Sequence, residues 1–271
     1  MPRKLFCQLC PLTYQIAVIK NRLVRGFRNI KDRKSFASAR GDELLPVVIY
    51  SHNSLIRRKL GNTNPELQDN KAQNLAISTP LVNKILIKPG ETFSFWHLVG
   101  NTTAKKGYKK GVVIKGGKSD AGVGGGMCQF TNLIHWMVLH TPLTITEHHH
   151  HDGFDLFPDF NRQVPFGTGT SIFYNYLDYR FKNDTENTYQ IVVYTTDTHL
   201  CGELRAQRPL GVKYHVVSKN ERFVRVGKDV FRKGQVWRTC IDKKTGRELS
   251  RELLRENNAL VLYDTSLLEI Q

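Results

Sequence analysis

Four glycines within five positions, Gly122, Gly124, Gly125 and Gly126, lead directly into Met127, Cys128 and Gln129. Glycine loses more conformational freedom on folding than any other residue, so such a cluster belongs where the chain must turn tightly or approach something closely. Phe130, Leu133, Ile134, Met137 and Val138 then fall on one helical face, and Pro142 marks the end of the helix. Cys128 is therefore expected in the first turn. Amides there lack intrahelical acceptors and carry the positive end of the helix dipole. That setting is expected to lower a thiol pKa from about 8.5 toward neutrality. It also lets the backbone of Gly124, Gly125, Gly126, Met127 and Gln129 hydrogen-bond an oxyanion as a thiolate attacks a carbonyl. A buried cysteine that packs as a small hydrophobe beside a turn would give the same pattern without chemistry.

A nucleophilic thiol needs a base, and Glu147-His148-His149-His150-His151-Asp152 follows about twenty residues on. In an extended segment alternate side chains share a face, so His149 and His151 point one way and His148 and His150 the other. One pair facing Cys128 would supply a general base that later protonates a leaving amine. Asp152, Asp178 and Asn175 are candidates to orient that ring. Two histidines with Cys128 could instead offer zinc nitrogen and sulfur ligands, but no carboxylate or second cysteine stands at a recognised metal-ligand spacing. No metal or other cofactor is expected. A surface histidine patch without chemistry is the plain alternative.

These residues need a frame. The 271-residue chain, 40% hydrophobic, has ample material for a core. Its 40 Lys and Arg against 24 Asp and Glu, a net +16, favour an anionic partner without choosing one. Five cysteines are too few, and odd in number, for a disulfide scaffold. The Cys7–Cys10 pair has a C-x-x-C spacing but no further ligands nearby. No apolar run is long enough for a spanning helix. Arg3 and Lys4 precede an apolar stretch that Gln8, Tyr14 and Gln15 interrupt, with no cleavage site after it, so export by a signal peptide is not expected.

Residues 1–40 contain ten basic residues and one acid, Asp32. Ile16, Ile19, Leu23 and Phe27, with Lys20, Arg22, Arg25 and Arg28 between them, describe a basic amphipathic helix over 13–30. Its apolar stripe could rest on acidic lipid or pack on the domain. Asn64-Pro65 starts a second helix that runs through Leu67, Lys71 and Leu75 toward Pro80. Strands are expected at 85–87, 92–96 and 112–114, and a hairpin joins an aromatic strand over 171–181 to 189–195. Past residue 206 the pattern becomes short alternating strands at 214–217, 223–226, 236–241 and 260–263, with a turn at 242–246.

Several motifs together resemble the VanW family, named for an accessory protein of B-type vancomycin-resistance clusters. They are Lys88-Pro89-Gly90-Glu91-Thr92-Phe93-Ser94-Phe95, Gly107-Tyr108, Val113-Ile114, Gly116-Gly117-Lys118, the run from Gly122 to Gln129, Glu147 with His149 and His151, and Asp178 through Asn183. Trp96, which continues the first motif, is assigned to the same substrate cleft. The segment from Glu256 to Asp264 extends the similarity toward short full-length members. The resemblance implies cysteine-dependent L,D-transpeptidase chemistry on peptidoglycan stems, as described for larger envelope proteins with this domain, with Cys128 in the catalytic position. Three positions depart from the family pattern: His148 stands for an arginine, Asp152 for a serine and Gly169 for an aspartate.

The expectation is an α+β fold whose mostly antiparallel sheet packs around a central Cys-bearing helix. Residues 1–60 form a basic, partly helical arm, 61–205 the VanW-like core, and 206–271 a small β-rich extension. Cys128, His149 or His151, and Asp178 are the expected catalytic residues. The expected partner is a peptidoglycan stem peptide or its precursor, with an acidic membrane surface as a second partner for the arm. A non-catalytic module that grips a cell-wall peptide or resistance-cluster partner is the other reading. No specific nucleic acid is expected, since no recognition motif accompanies the charge. The expected location is the cytoplasm, with the arm able to hold the protein at a membrane.

Overall fold

A computed structural model describes residue 6 and residues 9–58, 64–115, 118–150, 153–159 and 163–271. Chain order begins with helix α1 (Pro11–Asp32), strand β1 (Val47–Leu55), helix α2 (Glu66–Val82), strands β2 (Ile85–Ile87) and β3 (Thr92–Ser94), and helix α3 (Phe95–Val99). Strands β4 (Lys110–Lys115) and β5 (Lys118–Val123) lead to helix α4 (Met127–Val138), then β6 (Thr144–Glu147) and β7 (Phe154–Asp155). Six strands close the order: β8 (Arg180–Lys182), β9 (Tyr189–Thr195), β10 (His199–Ala206), β11 (Val212–Val226), β12 (Asp229–Asp242) and β13 (Glu248–Val261). The fold is α+β, and apart from β13 with β7 its named strands pair antiparallel.

The core lies where α2 and α4 cover the sheet β1-β10-β9-β2. The apolar face of α4 delivers Phe130, Leu133, Ile134, Met137 and Val138, all buried, against Leu200, Leu204 and Ile191 of the sheet. Gly202 of β10 lets the helix settle there, because a Cβ would stand 2.9 Å from both Leu133 and Met137. A smaller sheet, β3-β8-β6, stacks Phe93 on Phe181 with centroids 4.8 Å apart and ends at Glu147 opposite Arg180. The hairpin β4–β5 feeds the glycine turn before α4.

The last three strands are long, with β7 on their edge. Arg232, 2% exposed, is the polar centre of that sheet: it pairs with Asp155 at 3.2 Å and with Asp159 and Glu221. Its guanidinium lies over the Phe166 ring at 4.3 Å.

Several local expectations need correction. Residues 171–181 and 189–195 are not a hairpin: β8 joins β3 and β6, while β9 pairs with β10 and β2. The aromatic stretch instead doubles back at Phe173–Leu177, with Asn175 at φ +52°. Buried Asn183 then spans Ile87 and Asn187 with two side-chain bonds, which steers the chain from one sheet to the other. The strand expected over 92–96 stops at Ser94, whose hydroxyl caps α3 by accepting the His97 amide. The short segments of the tail are parts of long strands whose alternation is broken by bulges near Lys219 and Val236. Gly116 and Gly117 lie outside the described residues.

Candidate functional site

The opening of α4 is fixed by backbone contact. Gly126, its N-cap, has φ +107°, and a Cβ there would overlap the Lys71 side chain. A Cβ on Gly125 would overlap the Gly111 backbone of β4. Helix α2 braces the turn: Asn74 donates to Lys109 and Gly125 carbonyls, both at 2.9 Å, and accepts the Lys109 amide at 2.8 Å. The Ser78 hydroxyl lies 3.2 Å from the Met127 sulfur. The turn also uses amides that were expected at an oxyanion. Gly124 N–H donates to Lys109, Gly125 N–H to Gly122, and Gln129 N–H to Gly126. The Gln129 side chain is tied to Ser54 and Leu55 of β1. Among the described residues, the amides of Gly126 and Met127 make no backbone hydrogen bond at this opening, and the Cys128 amide acts on its own sulfur.

Residues 169–172 form the bridge between the cysteine and the histidines. Thr170 is held by Asn132 of α4, its amide at 2.6 Å and its hydroxyl at 2.8 Å from Oδ1. The Thr170 and Thr131 hydroxyls lie 2.5 Å apart and both point to the Cys128 carbonyl. The Ile172 amide acts on the Cys128 sulfur and works to lower its pKa. On the other side, the Gly169 carbonyl meets His148 Nε2 at 3.0 Å, and the Ser171 amide donates to the His149 carbonyl at 2.6 Å. One short extended segment thus holds both reactive-residue candidates.

The thiol does not have the expected lowered pKa. Cys128 keeps partial exposure as a residue, yet its sulfur is deep enough that burial pushes the pKa up, above what the Ile172 and Cys128 amides recover. Desolvation of a thiolate outweighs the helix opening here.

The histidines divide by face. His148 and His150 sit on one side, their ring centroids 4.0 Å apart, and His148 is 4.1 Å from buried His135. His135 bonds Tyr179 at 3.0 Å; burial holds the His135 pKa well below the ordinary imidazole range, with His148, His150 and Arg238 adding to it. His149 faces the other way. Its Nε2 is 3.0 Å from Glu147 Oε1, so Glu147 is the carboxylate that orients this ring. Sequence reading placed Glu147 in the motif without assigning it that role. Glu147 also accepts two bonds from Arg25 of α1, at 2.6 and 2.5 Å, and the Asp178 amide at 2.8 Å. Although burial opposes it, these donors, led by Arg25, bring the Glu147 pKa down. His151 and Asp152 lie outside the described residues.

Among the described residues, the partners of the Asp178 carboxylate are not the histidines of 148–150. This buried carboxylate accepts Ser94 Oγ at 2.5 Å, Trp96 N–H at 3.1 Å and Arg180 Nε at 2.8 Å. Asn175, the other orienting candidate, faces α1 through Asn29 and the Arg22 carbonyl. Trp96 is 8% exposed, with its indole N–H on the Leu177 carbonyl and its ring edge-on to Phe95 and Tyr174. It packs the core beside the site.

Two residues escaped sequence reading. Lys71 and Gln68 of α2 are buried, and the methylenes of Lys71 line the far side of Gly126. The signal was visible: Lys71 stands midway between Leu67 and Leu75 on the inward side of its helix. Burial, then the nearby charges of Arg58 and Arg57, bring the Lys71 pKa down to about 7.

Fold and site together define an α+β protein in which one short segment, 169–172, runs between a helix-borne cysteine and a Glu-oriented histidine. The chain belongs to the VanW family: the family described as VanW like protein matches residues 70–205. It is 32% identical over 228 residues to the Vancomycin B-type resistance protein VanW of Enterococcus faecalis, covering 84% of this chain and 82% of that one. It is also 31% identical over 116 residues to the Uncharacterized protein YoaR of Bacillus subtilis, covering 42% of this chain and 35% of that one. No solved structure matches significantly.

Proposed function

We propose that this VanW-family protein is associated with vancomycin resistance, as its enterococcal relative is named, and works as a thiol-dependent acyl transferase on peptidoglycan precursor peptides. The observation that carries this reading is the 169–172 segment, whose Ile172 amide acts on the Cys128 sulfur and whose Ser171 amide donates to the His149 carbonyl. With the resting thiol protonated, the base acts as attack begins. His149, held by Glu147, or His151 takes the thiol proton while sulfur adds to the peptide carbonyl. The Met127 and Cys128 amides, with Gly126, receive the developing oxyanion. Collapse breaks the peptide C–N bond, the imidazolium returns its proton to the departing amine, and a thioester remains on Cys128. An acceptor amine then attacks the thioester, forms the new amide and restores the thiol. Water in place of that amine gives a peptidase.

Incubation with stem peptides, followed by intact-mass measurement, is the test. A mass increase confined to Cys128 and absent in Cys128→Ser supports the reading; unmodified protein under turnover and trapping conditions defeats it. The raised thiol pKa favours a second reading, a non-catalytic module that grips the same peptides in this cleft. That reading expects equal peptide affinity for wild type and Cys128→Ser, with no product from either.

A further inference from the structure

Helix α2 presents Lys71, Asn74 and Ser78 toward the opening of α4, with Gln68 one turn before Lys71 and likewise buried. Asn74 and Ser78 have partners there. Gln68 and Lys71 differ. Gln68 is 6% exposed, and its Nε2 is buried with no hydrogen-bond partner, while its carbonyl accepts the Arg58 amide at 3.4 Å. Lys71 is 5% exposed, and its chain crosses Gly126 with Cδ 3.2 Å from where a Cβ would stand. Among the described residues its ammonium makes no hydrogen bond or ion pair. The neighbouring charges that act on it are cationic, Arg58 and Arg57, and the Arg57 guanidinium is taken up by Asp69 and the Asp197 carbonyl. Burying an amide donor without a partner is costly, and Gln68 Nε2 is such a donor; one turn on, the buried Lys71 side chain lies against Gly126 at the opening of α4.

We infer that Lys71 and Gln68, with the opening of α4, form a carboxylate subsite for the free C-terminus of a peptide substrate. The assignment rests on the proposed acyl-transfer reading for the kind of substrate, and it deepens it: the residue released on attack carries the carboxylate. Two oxygens suit one ammonium and one amide donor. The test titrates the full-length protein with an N-acetylated tetrapeptide bearing a free C-terminal carboxylate, its C-terminal amide, and inorganic phosphate. Wild type is expected to prefer the acid by about 10-fold, an ordinary return for a charge-assisted bond. Lys71→Met should erase the preference, Lys71→Arg should keep part of it, and Gln68→Leu should reduce it. Equal binding of acid and amide, no binding of either, an unchanged preference in Lys71→Met, or phosphate bound as well as the acid each overturn the subsite. Acid preference without any thioester on Cys128 would leave the subsite standing and remove the transferase reading.

A separate observation concerns α1. Sequence reading left its stripe free to pack on the domain or to face lipid. The helix has no buried residue. Its contacts with the domain come from its polar side. Arg25 grips Glu147, Arg22 lies over Phe173 at 5.0 Å, and Asn29 reaches Asn175 and Arg180. The apolar stripe of Leu12, Ile16, Ile19, Leu23, Phe27 and Ile30 points away, with Phe27 73% and Ile30 72% exposed. Exposed Lys20, Arg28 and Lys31 border it. This helix is amphipathic the wrong way round for a protein core. No helix among the described residues is long and apolar enough to cross a membrane.

We propose that α1 lies flat on an anionic lipid surface, with its stripe in the acyl boundary and its lysines at the headgroups. Because Arg25 on the opposite side holds Glu147, the bound helix would also fix the histidine face relative to the membrane. Flotation with phosphatidylcholine vesicles, with and without phosphatidylglycerol, tests this. Wild type is expected to float only with the anionic lipid, and binding should fall at least about 10-fold in a Leu23→Ser, Phe27→Ser, Ile30→Ser protein whose circular dichroism is unchanged. Failure to float, undiminished binding by the variant, or light scattering that shows the stripe buried in a dimer overturns the proposal.

Discussion

At the residue scale, the cysteine is not the pre-ionised nucleophile that its position at a helix opening suggests. A thiolate would have to give up hydration that two amides do not replace, so burial sets the direction of the shift. Iodoacetamide should therefore label Cys128 slowly at neutral pH in the unliganded protein, with the rate climbing only above the ordinary thiol range. Labelling already at its plateau near pH 7 would show this account to be wrong. Asp178 makes the opposite point. The sequence marks it as a carboxylate near histidines, but the contacts with Ser94 and Trp96 come from a segment more than eighty residues away and that with Arg180 from the strand that follows, and spacing cannot reveal them. Asp178→Ala would leave Arg180 without its buried acceptor, at a cost of about 3–5 kcal/mol in urea unfolding. A loss below about 1 kcal/mol would mean that Arg180 finds equivalent partners in Asn29 and Glu147. His148 and Gly169 are in contact, the ring bonding the Gly169 carbonyl.

At the element scale, helix α4 and its turn were legible because both signals are local: glycine density and a single apolar face. What the glycines accommodate was not legible, since it lies in β4 and α2. Gly125 approaches the Gly111 backbone, which has no rotamer to change, whereas Gly90, at φ +81°, has nothing within 4 Å of its missing Cβ. Gly125→Ala is thus expected to destabilise by at least about 3 kcal/mol through overpacking. Gly90→Ala should cost only about 1–2 kcal/mol for its left-handed backbone. Thermal melts that rank the two equally would show that β4 moves aside easily. The stretch 171–181 misled for a related reason. Aromatic and β-branched residues favour strands, but Asn175 turns the backbone through positive φ and the rings pack around Trp96 and α1 instead. The tail strands were found as fragments because bulges reset the alternation that marks them.

At the scale of the whole molecule, composition indicated a charged, foldable chain, and the structure shows where acid will act on it. Among the described residues, His52, His97, His135 and His140 have pKa values depressed by burial. His140, stacked on Tyr50 at 3.7 Å, is brought down to about 4. An imidazole that stays neutral in the fold but takes a proton when unfolded destabilises as pH drops, because the unfolded chain then binds more protons. For His140 the window opens near pH 6.5 and closes near pH 4, and its contribution is about 2 kcal/mol after allowance for partial solvent access. Glu147, whose pKa is lowered, adds a loss at the acid end of the same range as its carboxylate is protonated and Arg25 is released. The existing excess of 16 positive charges works in the same direction, since each proton gained adds to self-repulsion. Unfolding free energy from urea titrations should therefore fall steadily from pH 7 to pH 4. His140→Phe, which keeps the stacking surface and cannot titrate, should flatten the upper part of that slope while leaving the Glu147 part below it. A wild-type curve level across pH 6.5 to 4, or a variant with the same slope, would place the acid sensitivity elsewhere than in these buried rings.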